Sequence, residues 1–193
     1  MDNPGEYGLG IQETTVAAGA KIGGTGCIGM KDDKNIATLA LSNGSESNFA
    51  TLSPGTIDET TGKHVYGTFT AGRESARSNK LTLGSWAHLE IGVGPKNIET
   101  KLSDVDKLKV YGTLEIGSDC TLDLTTNSAG IDEIKGGKYT IVDADKIVGT
   151  FATVLRPNNT WKVEYMSETV GEETVVKSIV LTVPSKGLAF IIK

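Results

Sequence analysis

The sequence has few of the residues on which most catalytic and metal sites depend. Among its 193 residues there are two histidines, His64 and His88, so a catalytic triad or a multi-histidine zinc site would have to use one of them. The G-x-S-x-G, H-E-x-x-H and P-loop patterns do not occur. We therefore expect a protein that is not an enzyme and that requires no cofactor or metal.

An excess of positive charge and long apolar runs are also missing. The net charge of −5 argues against nucleic acid and anionic membranes as partners, because both bind clustered Lys and Arg. No apolar run approaches the roughly 20 residues of a membrane helix, and the closing run at 188–192 is too short. The first residues lack the basic and apolar segments of a signal peptide, so we expect a fragment of a longer exported protein.

Apolar and polar residues alternate with a period of two through most of the sequence, which predicts half-buried strands. Helical periodicity is scarce, so the predicted fold class is all-β. The clearest strands are predicted at residues 80–91, 108–116, 120–124, 139–142, 161–165 and 176–183.

Glycines interrupt these strands at similar places. Variants of one unit, in which a small residue is followed by an apolar residue, any residue, a second apolar residue and a glycine, recur at 19–26, 81–85 and 112–118. Short strands with glycine corners, repeated about every 20 residues, are typical of a parallel β-helix, a solenoid whose coils bury their inward side chains by stacking. We predict that residues 1–130 form such coils.

The composition changes after residue 130, where the predicted strands lengthen and aromatic side chains accumulate. The turn signal at 156–159 indicates an antiparallel hairpin between the strands at 138–142 and 161–165. We predict that residues 131–193 form an antiparallel β-hairpin cap, continuous with the solenoid, that covers its open end. The aromatic residues of this region are Tyr139, Phe151, Trp161 and Tyr165.

Four motifs occur in the order seen in one known family. The segment GAKIGGTG at 19–26 is similar to "GA-x-L-x-GTG", and ATLSPG at 50–55 resembles "G-x-L-x-PG". The segment SDVDKLKVYGTLEIG at 103–117 is similar to "sD-x-L-x-V-x-G-x-x-x-LG", and GKYTIVDADKIVGTF at 137–151 resembles "G-x-Y-x-L … I-x-GTF". Together they give the chain a resemblance to autotransporter-associated β-strand repeats, the C-terminal part of an autotransporter passenger.

The resemblance implies a right-handed parallel β-helix that is secreted or displayed at the cell surface as a stalk or display scaffold. The chain departs from complete autotransporters because it has no series of long alternating strands of the kind that form a translocator barrel.

Two cysteines, Cys27 and Cys120, give a test of the solenoid. Four coils, each about 4.8 Å high, would separate them by roughly 19 Å. A disulfide requires Cα atoms within about 7 Å of each other. We therefore expect both cysteines to be unpaired and to act as small apolar residues in the stack.

Both histidines have simple structural interpretations. His88 alternates with Leu89 inside the strand predicted at 80–91, so we expect it to be a solvated strand residue. His64 follows the residues TTGK and is expected to lie in a turn.

Two acidic pairs with i, i+2 spacing are further candidates: Asp104 with Asp106, and Asp143 with Asp145. On a strand each pair would point the same way, and two adjacent carboxylates could raise a pKa, bind Ca²⁺ or act on a sugar. Aspartate also fills turns because its side chain bonds its own backbone, so we expect the four residues to be corner residues, with Ca²⁺ binding and catalysis as alternatives.

The leading hypothesis is a non-enzymatic structural or adhesive surface module whose partners are glycan or protein surfaces, with exposed coil edges that allow end-to-end or homo-oligomeric contact. The alternative is a carbohydrate-binding or carbohydrate-cleaving β-helix that uses Trp86, His88, Asp104 and Asp106. Trp86 shares the parity of His88 in the predicted strand, although packing against a neighbouring loop also explains a tryptophan there. A β-sandwich would explain the late hairpins but not the short repeats.

Overall fold

The computed structural model describes residues 14–28, 38–75, 77–97, 99 and 103–185. The described residues confirm the all-β prediction, since they form strands and a single 3₁₀ turn at Ile131–Glu133. The closing run at 188–192 lies outside them. The strands are β1 (Thr14–Val16), β2 (Lys21–Gly24), β3 (Gly26–Ile28), β4 (Thr38–Leu41), β5 (Thr51–Pro54), β6 (Thr56–Ile57), β7 (His64–Val65), β8 (Thr68–Ala71), β9 (Asn79–Leu83), β10 (His88–Glu90), β11 (Val93–Lys96), β12 (Ser103–Val105), β13 (Lys107–Ile116), β14 (Thr121–Asp123), β15 (Gly137–Val148), β16 (Thr153–Leu155), β17 (Lys162–Val170) and β18 (Glu173–Val183).

Most of these strands pair in parallel, in three stacks. The first stack contains β1, β4, β9 and the C-terminal halves of β13 and β15. The second stack contains β2, β5, β10, β14 and β16. The third stack contains β3, β8 and the N-terminal halves of β13 and β15. The chain visits the first, second and third stacks in that order and then begins again.

The core consists of like side chains placed one above another. In the second stack Leu52, Leu89 and Leu122 are aligned by register and are all inaccessible to solvent. Ile22 and Val154 continue this column at its two ends and are only partly buried. Burial of a leucine side chain contributes about 1.5–3 kcal/mol relative to exposure, so the column is a major source of stability.

Small residues form a second column at the corner between the first and second stacks. Ala20, Ala50, Ala87 and Cys120 occupy equivalent positions, because the carbonyl oxygen of each one accepts a bond of 2.9–3.3 Å from an amide one layer later, that of Thr51, His88, Thr121 and Thr153 respectively. At the last layer the Ala152 amide also donates to the Cys120 carbonyl oxygen, at 3.0 Å. Cysteine fits this position because its side chain is close to alanine in size.

Strand β13 bends from the third stack into the first at Gly112. The backbone has φ +134° there, and a Cβ atom would lie 2.0 Å from the Asn79 carbonyl oxygen, so only glycine fits. The Asn79 amide group donates to the Tyr111 carbonyl oxygen at 3.0 Å and holds the bend. One strand thereby belongs to two faces of the molecule.

Three excursions leave the repeating path between the second and third stacks. They are the antiparallel hairpin β6–β7, the antiparallel pair β11–β12, and the segment that carries the 3₁₀ turn. The segment with the turn contacts the second excursion, where the Ala129 amide donates to the Val93 carbonyl oxygen at 3.2 Å. All three excursions therefore lie on the same side of successive layers.

The C-terminal part was predicted with the wrong strand partners. The strands at 138–142 and 161–165 do not pair with each other, because β18 lies between them and is antiparallel to both β15 and β17. Parallel pairing also continues beyond residue 130, through β15 and β16. Phe151 and Trp161 are buried at this end, and the Tyr165 hydroxyl accepts a bond of 2.9 Å from the Phe151 amide.

The strand predicted at 80–91 is two strands. The chain turns a corner at residues 84–87, so β9 belongs to the first stack and β10 to the second. Alternation persists on both sides of the corner, which is why the sequence pattern does not reveal the break. The strand predicted at 108–116 is confirmed as β13.

The prediction that both cysteines are unpaired is confirmed, since both lie in the described part of the chain and are free, but the prediction that both lie in the stacked core holds for Cys120 alone. Cys120 is fully buried, and burial raises the pKa of its thiol. Cys27 is half-buried on β3, where its thiol donates to the Gly72 carbonyl oxygen at 3.1 Å. Only Cys120 therefore lies in the buried column.

Candidate functional site

The outward side of the second stack is a polar surface that is partly covered. Thr51 and Ser53 point away from the buried leucine column because they alternate with Leu52, yet both are buried. Lys21 on β2 crosses above β5 and its Nζ lies 2.5 Å from Oε2 of Glu90 on β10. This ion pair covers the middle strand.

Asn127 contributes a third polar group to this surface from the loop after β14. Its Nδ2 donates to the Ser53 hydroxyl at 2.8 Å and to Glu90 Oε2 at 3.4 Å. The side chain of Glu90 is 13% exposed and that of Lys21 is 52% exposed. Lysine, carboxylate, amide and hydroxyl groups from four layers are therefore fixed relative to one another.

A buried aspartate positions the loop that carries Asn127. Asp123 accepts bonds of 2.6 Å from the hydroxyls of Thr125 and Thr126, and the backbone amides of the same two residues also donate to it. Burial opposes ionisation, but these hydrogen bonds outweigh it and lower the pKa of Asp123. The loop is therefore held by an ionised side chain.

His88 lies on the same surface, but it is not the solvated residue that the alternation predicted. Its ring stacks on Phe49 with centroids 3.6 Å apart and planes 5° apart, and it is half-buried. Burial lowers the pKa of His88, against the opposing effects of Asp123 and Glu90. The imidazole is thus part of an aromatic pair at one end of the polar surface.

Trp86 does not share this surface. It lies in the corner between β9 and β10, with φ +69°, where the Trp86 amide donates to the Ser118 carbonyl oxygen at 3.1 Å. Gly19 and Asp119 take the same left-handed conformation just before the small residue of their own corners, with φ +79° and +60°. The outward strand position predicted for Trp86 is wrong, because that residue is a half-buried corner residue.

His64 and Asp106 form a close pair that the sequence analysis missed. His64 is in strand β7 rather than a turn, and its Nε2 lies 2.7 Å from Asp106 Oδ2. The His64 side chain is 10% exposed and that of Asp106 is fully buried. Asp106 also accepts bonds of 2.9 Å from the backbone amides of Gly67 and Gly92. One carboxylate thus binds two excursions of the chain.

Gly55 allows this pair to pack against the backbone. It has φ +84°, and a Cβ atom would lie 2.5 Å from both His64 Nε2 and Asp106 Oδ1. Burial raises the pKa of Asp106, against the effects of the Gly67 amide, the His64 imidazole and the Gly92 amide. The raised pKa of Asp106 is therefore due to burial and not to an adjacent carboxylate, which was the cause considered from the i, i+2 spacing.

Asp104 and Asp106 do not act as the adjacent carboxylates of the alternative hypothesis, because the two side chains have different partners. Asp104 is not the corner residue that was expected, since it lies inside β12, whereas Asp106 lies between β12 and β13. Asp104 is half-buried and accepts bonds of 3.2 and 3.4 Å from the Asn97 amide group. The ring of Tyr66 lies edge-on to His64 at 4.9 Å. Burial raises the pKa of Tyr66, and the two aspartates raise it further.

Asp143 and Asp145 are not corner residues, since both lie inside strand β15. Asp143 Oδ2 accepts bonds of 3.2 Å from Lys107 Nζ and 2.9 Å from Lys109 Nζ on the adjacent strand. Asp145 Oδ1 lies 2.5 Å from Arg77 Nη1. Burial opposes ionisation of Asp143, but the bonds from the two lysines lower its pKa. These aspartates are used in ion pairs between layers.

A cavity of about 610 Å³ lies beside the polar surface. Its position is between the N-terminal layers of the second stack and the hairpin β6–β7. His64 lines it, and the buried Asp106 behind His64 holds this side chain in place. Its polar and apolar side chains include Lys21, Ser53, Ile57, Glu59, His64 and Asn127.

The described residues contain neither a metal-binding cluster nor a helix that could cross a membrane. No group of three or more His, Cys, Asp or Glu side chains in this part of the chain is placed to hold a metal ion. Within the same residues, no helix has the length and apolar character needed to span a membrane.

No family model, no curated protein and no solved structure matches this chain.

Proposed function

We propose that the three stacks are the faces of a right-handed parallel β-helix, and that this β-helix is a non-enzymatic structural module displayed outside the cell. The observation that carries the proposal is the order of the strands: the chain visits the three stacks in turn, and each strand pairs in register with its equivalent one layer away. Right-handedness follows from the strong preference of connections between parallel strands for that hand.

The structural role is supported by the source of the folding free energy, which is the stacking of each layer on its neighbours. Each layer contributes one position to the leucine column and one to the corner column, so no layer can bury its apolar side chains alone. The faces are covered by ion pairs between layers, such as Lys80 with Glu115 at 2.7 Å. A rigid column with polar faces is suited to hold other segments at a fixed distance from a surface.

The C-terminal strands complete the module as a cap. Strand β18 pairs with the last strand of the third stack in the antiparallel sense, and β17 pairs with β18. Phe151 and Trp161 are buried at this end. Covering a terminal layer prevents its core and strand edges from contacting other molecules.

The hairpin β6–β7 provides a test of the display role. At its tip, Asp58 accepts bonds from the Thr60 and Thr61 amides, and a Cβ atom on Gly62 would meet nothing within 4 Å. A short flexible epitope inserted after Gly62 should leave the unfolding transition unchanged and should be bound by its antibody, because loop lengthening costs little. The same epitope inserted after Ser85, in the corner between β9 and β10, should abolish cooperative unfolding.

Location is tested separately on cells of the producing organism. An antibody against the chain should label intact cells or the medium, and external protease should remove the cell-bound signal while a cytoplasmic protein stays intact. Labelling that requires permeabilised cells would refute the extracellular role. Loss of folding on insertion at the hairpin tip would refute the display role.

A further inference from the structure

The cavity beside hairpin β6–β7 has the size and the chemistry of a ligand site. Its volume of about 610 Å³ lies within the range of roughly 300–1,000 Å³ that is typical of small-molecule sites. Two of its polar walls are structurally fixed. Asn127 is bonded to Ser53 and Glu90, and His64 is bonded to the buried Asp106.

The fixed groups keep hydrogen-bonding capacity that their mutual contacts do not use. The Lys21 ammonium has three N–H donors and its ion pair with Glu90 uses one of them. Asn127 bonds Ser53 and Glu90 through its amide nitrogen, which leaves its carbonyl oxygen as an acceptor. The Ser53 hydroxyl accepts from Asn127 and retains its own proton as a donor. Lys21 and Ser53 therefore offer donors to the cavity, and Asn127 offers an acceptor.

The mixture of charges determines which class of ligand fits. A phosphate or sulfate would meet Lys21, whose charge is already paired with Glu90, and also the carboxylate of Glu59. A metal ion would need clustered ligands, and the described residues contain no group of three or more acidic, histidine or cysteine side chains placed for one. An apolar ligand would find a single large apolar side chain, Ile57, among the described residues of the lining. A neutral ligand with many hydroxyl groups satisfies both the donors and the acceptors.

We propose that this cavity binds a neutral saccharide of about two sugar units, with Lys21, Ser53 and Asn127 as the hydrogen-bonding groups, His64 as a fixed wall, and Glu90 as the residue that positions Lys21 and Asn127. The site is distinct from the structural role proposed above, since it uses the covered outer surface of the second stack and not the stacked core. It is also distinct from the corner that contains Trp86.

The test is an amide chemical-shift titration of the folded chain with cellobiose, maltose and N,N′-diacetylchitobiose as probes. At least one of these disaccharides should cause saturable shifts at Gly23, Gly55 and Asn127, with a dissociation constant on the order of 1 mM. Glu90→Gln should weaken that binding by roughly tenfold or more, because it removes the charge that holds Lys21 and Asn127. Glu115→Gln is the matched control: it breaks the Lys80–Glu115 ion pair on another face and should leave the affinity unchanged.

Each other outcome contradicts the proposal. If none of the three disaccharides shifts these amides, or if Glu90→Gln and Glu115→Gln bind equally well, the cavity is not a saccharide site. Saturation of the same amides by sodium phosphate or calcium chloride at lower concentration than by any disaccharide would assign the cavity to an ion instead. Amide signals outside the cavity should have the same chemical shifts in both variants as in the wild type, which shows that the fold is intact. A failure of saccharide binding can then be distinguished from a failure of the structural proposal.

Discussion

Replacement of Asp106 by alanine should be among the most destabilising single changes in the molecule. The carboxylate is fully buried, accepts hydrogen bonds of 2.9 Å from the Gly67 and Gly92 amides, and lies 2.7 Å from the His64 imidazole. Alanine removes both carboxylate oxygens and with them all three contacts. The hairpin β6–β7 and the start of the second excursion would then have no common anchor.

The magnitude follows from the groups left behind. A buried donor without an acceptor costs about 1–3 kcal/mol, so loss of the acceptors for Gly67 and Gly92 alone should cost roughly 2–6 kcal/mol. We expect about 4 kcal/mol for Asp106→Ala, which is a large share of the 5–15 kcal/mol typical of a whole domain. Asp106→Asn keeps one oxygen and should cost less, about 1–3 kcal/mol, since it leaves one amide unsatisfied.

Urea unfolding followed by tryptophan fluorescence measures these differences, because Trp161 is buried in the folded chain. Asp104→Ala is the matched control, two residues away and half-buried with the Asn97 amide as its partner, and should cost about 1 kcal/mol or less. The slope of free energy against urea should stay the same in all variants. An Asp106→Ala midpoint equal to that of Asp104→Ala would refute the anchoring role.

The pH dependence gives a second readout of the same residue. Burial places the folded-state pKa of Asp106 above its unfolded value of about 3.9, so the unfolded chain binds fewer protons between these two values. The wild type should therefore lose stability relative to Asp106→Asn as the pH rises from about 4 through the raised pKa. A wild-type advantage that grows over this range would contradict the assignment of burial as the cause.

Three further predictions concern the column, the loop and the thiols. Leu89→Ala in the centre of the leucine column should cost about 2–5 kcal/mol in urea unfolding, whereas Leu155→Ala at an exposed position should cost about 1 kcal/mol or less; equal costs would contradict the stacked core. Asp123→Asn should reduce stability at pH 7 by about 1–2 kcal/mol, and the difference should vanish as the pH falls below about 4 through the lowered pKa of Asp123; a difference independent of pH would contradict an ionised loop anchor. Iodoacetamide should alkylate Cys27 in the folded protein well before the buried Cys120, as measured by peptide mass, and equal rates would show that the corner column is open.

Much of the local structure could be predicted because alternation reports which side of a strand is buried. Residues 108–116 were predicted as a strand and form most of β13, and Leu89 is buried as its parity indicates. Alternation does not report corners. The corner at Trp86 keeps the same period, and a tryptophan with positive φ gives no turn signal, so 80–91 was predicted as one strand.

The candidate site could not be predicted because its residues are distant in the sequence. His64 and Asp106 are 42 positions apart, and Lys21 and Glu90 are 69 apart. These pairs depend on the register between layers, which the pattern within a single strand does not contain. One signal was present for Glu90, which has the same parity as His88 and therefore points to the same face.

The most direct test of the stacked architecture is a methyl nuclear Overhauser measurement on leucine-labelled protein. We expect strong contacts between Leu52 and Leu89 and between Leu89 and Leu122, because these residues are partners in adjacent parallel strands. The contact between Leu52 and Leu122 should be far weaker, since two strand spacings separate them by roughly 10 Å. A strong contact between Leu52 and Leu122, with none from either residue to Leu89, would indicate two sheets packed face to face and would contradict the account.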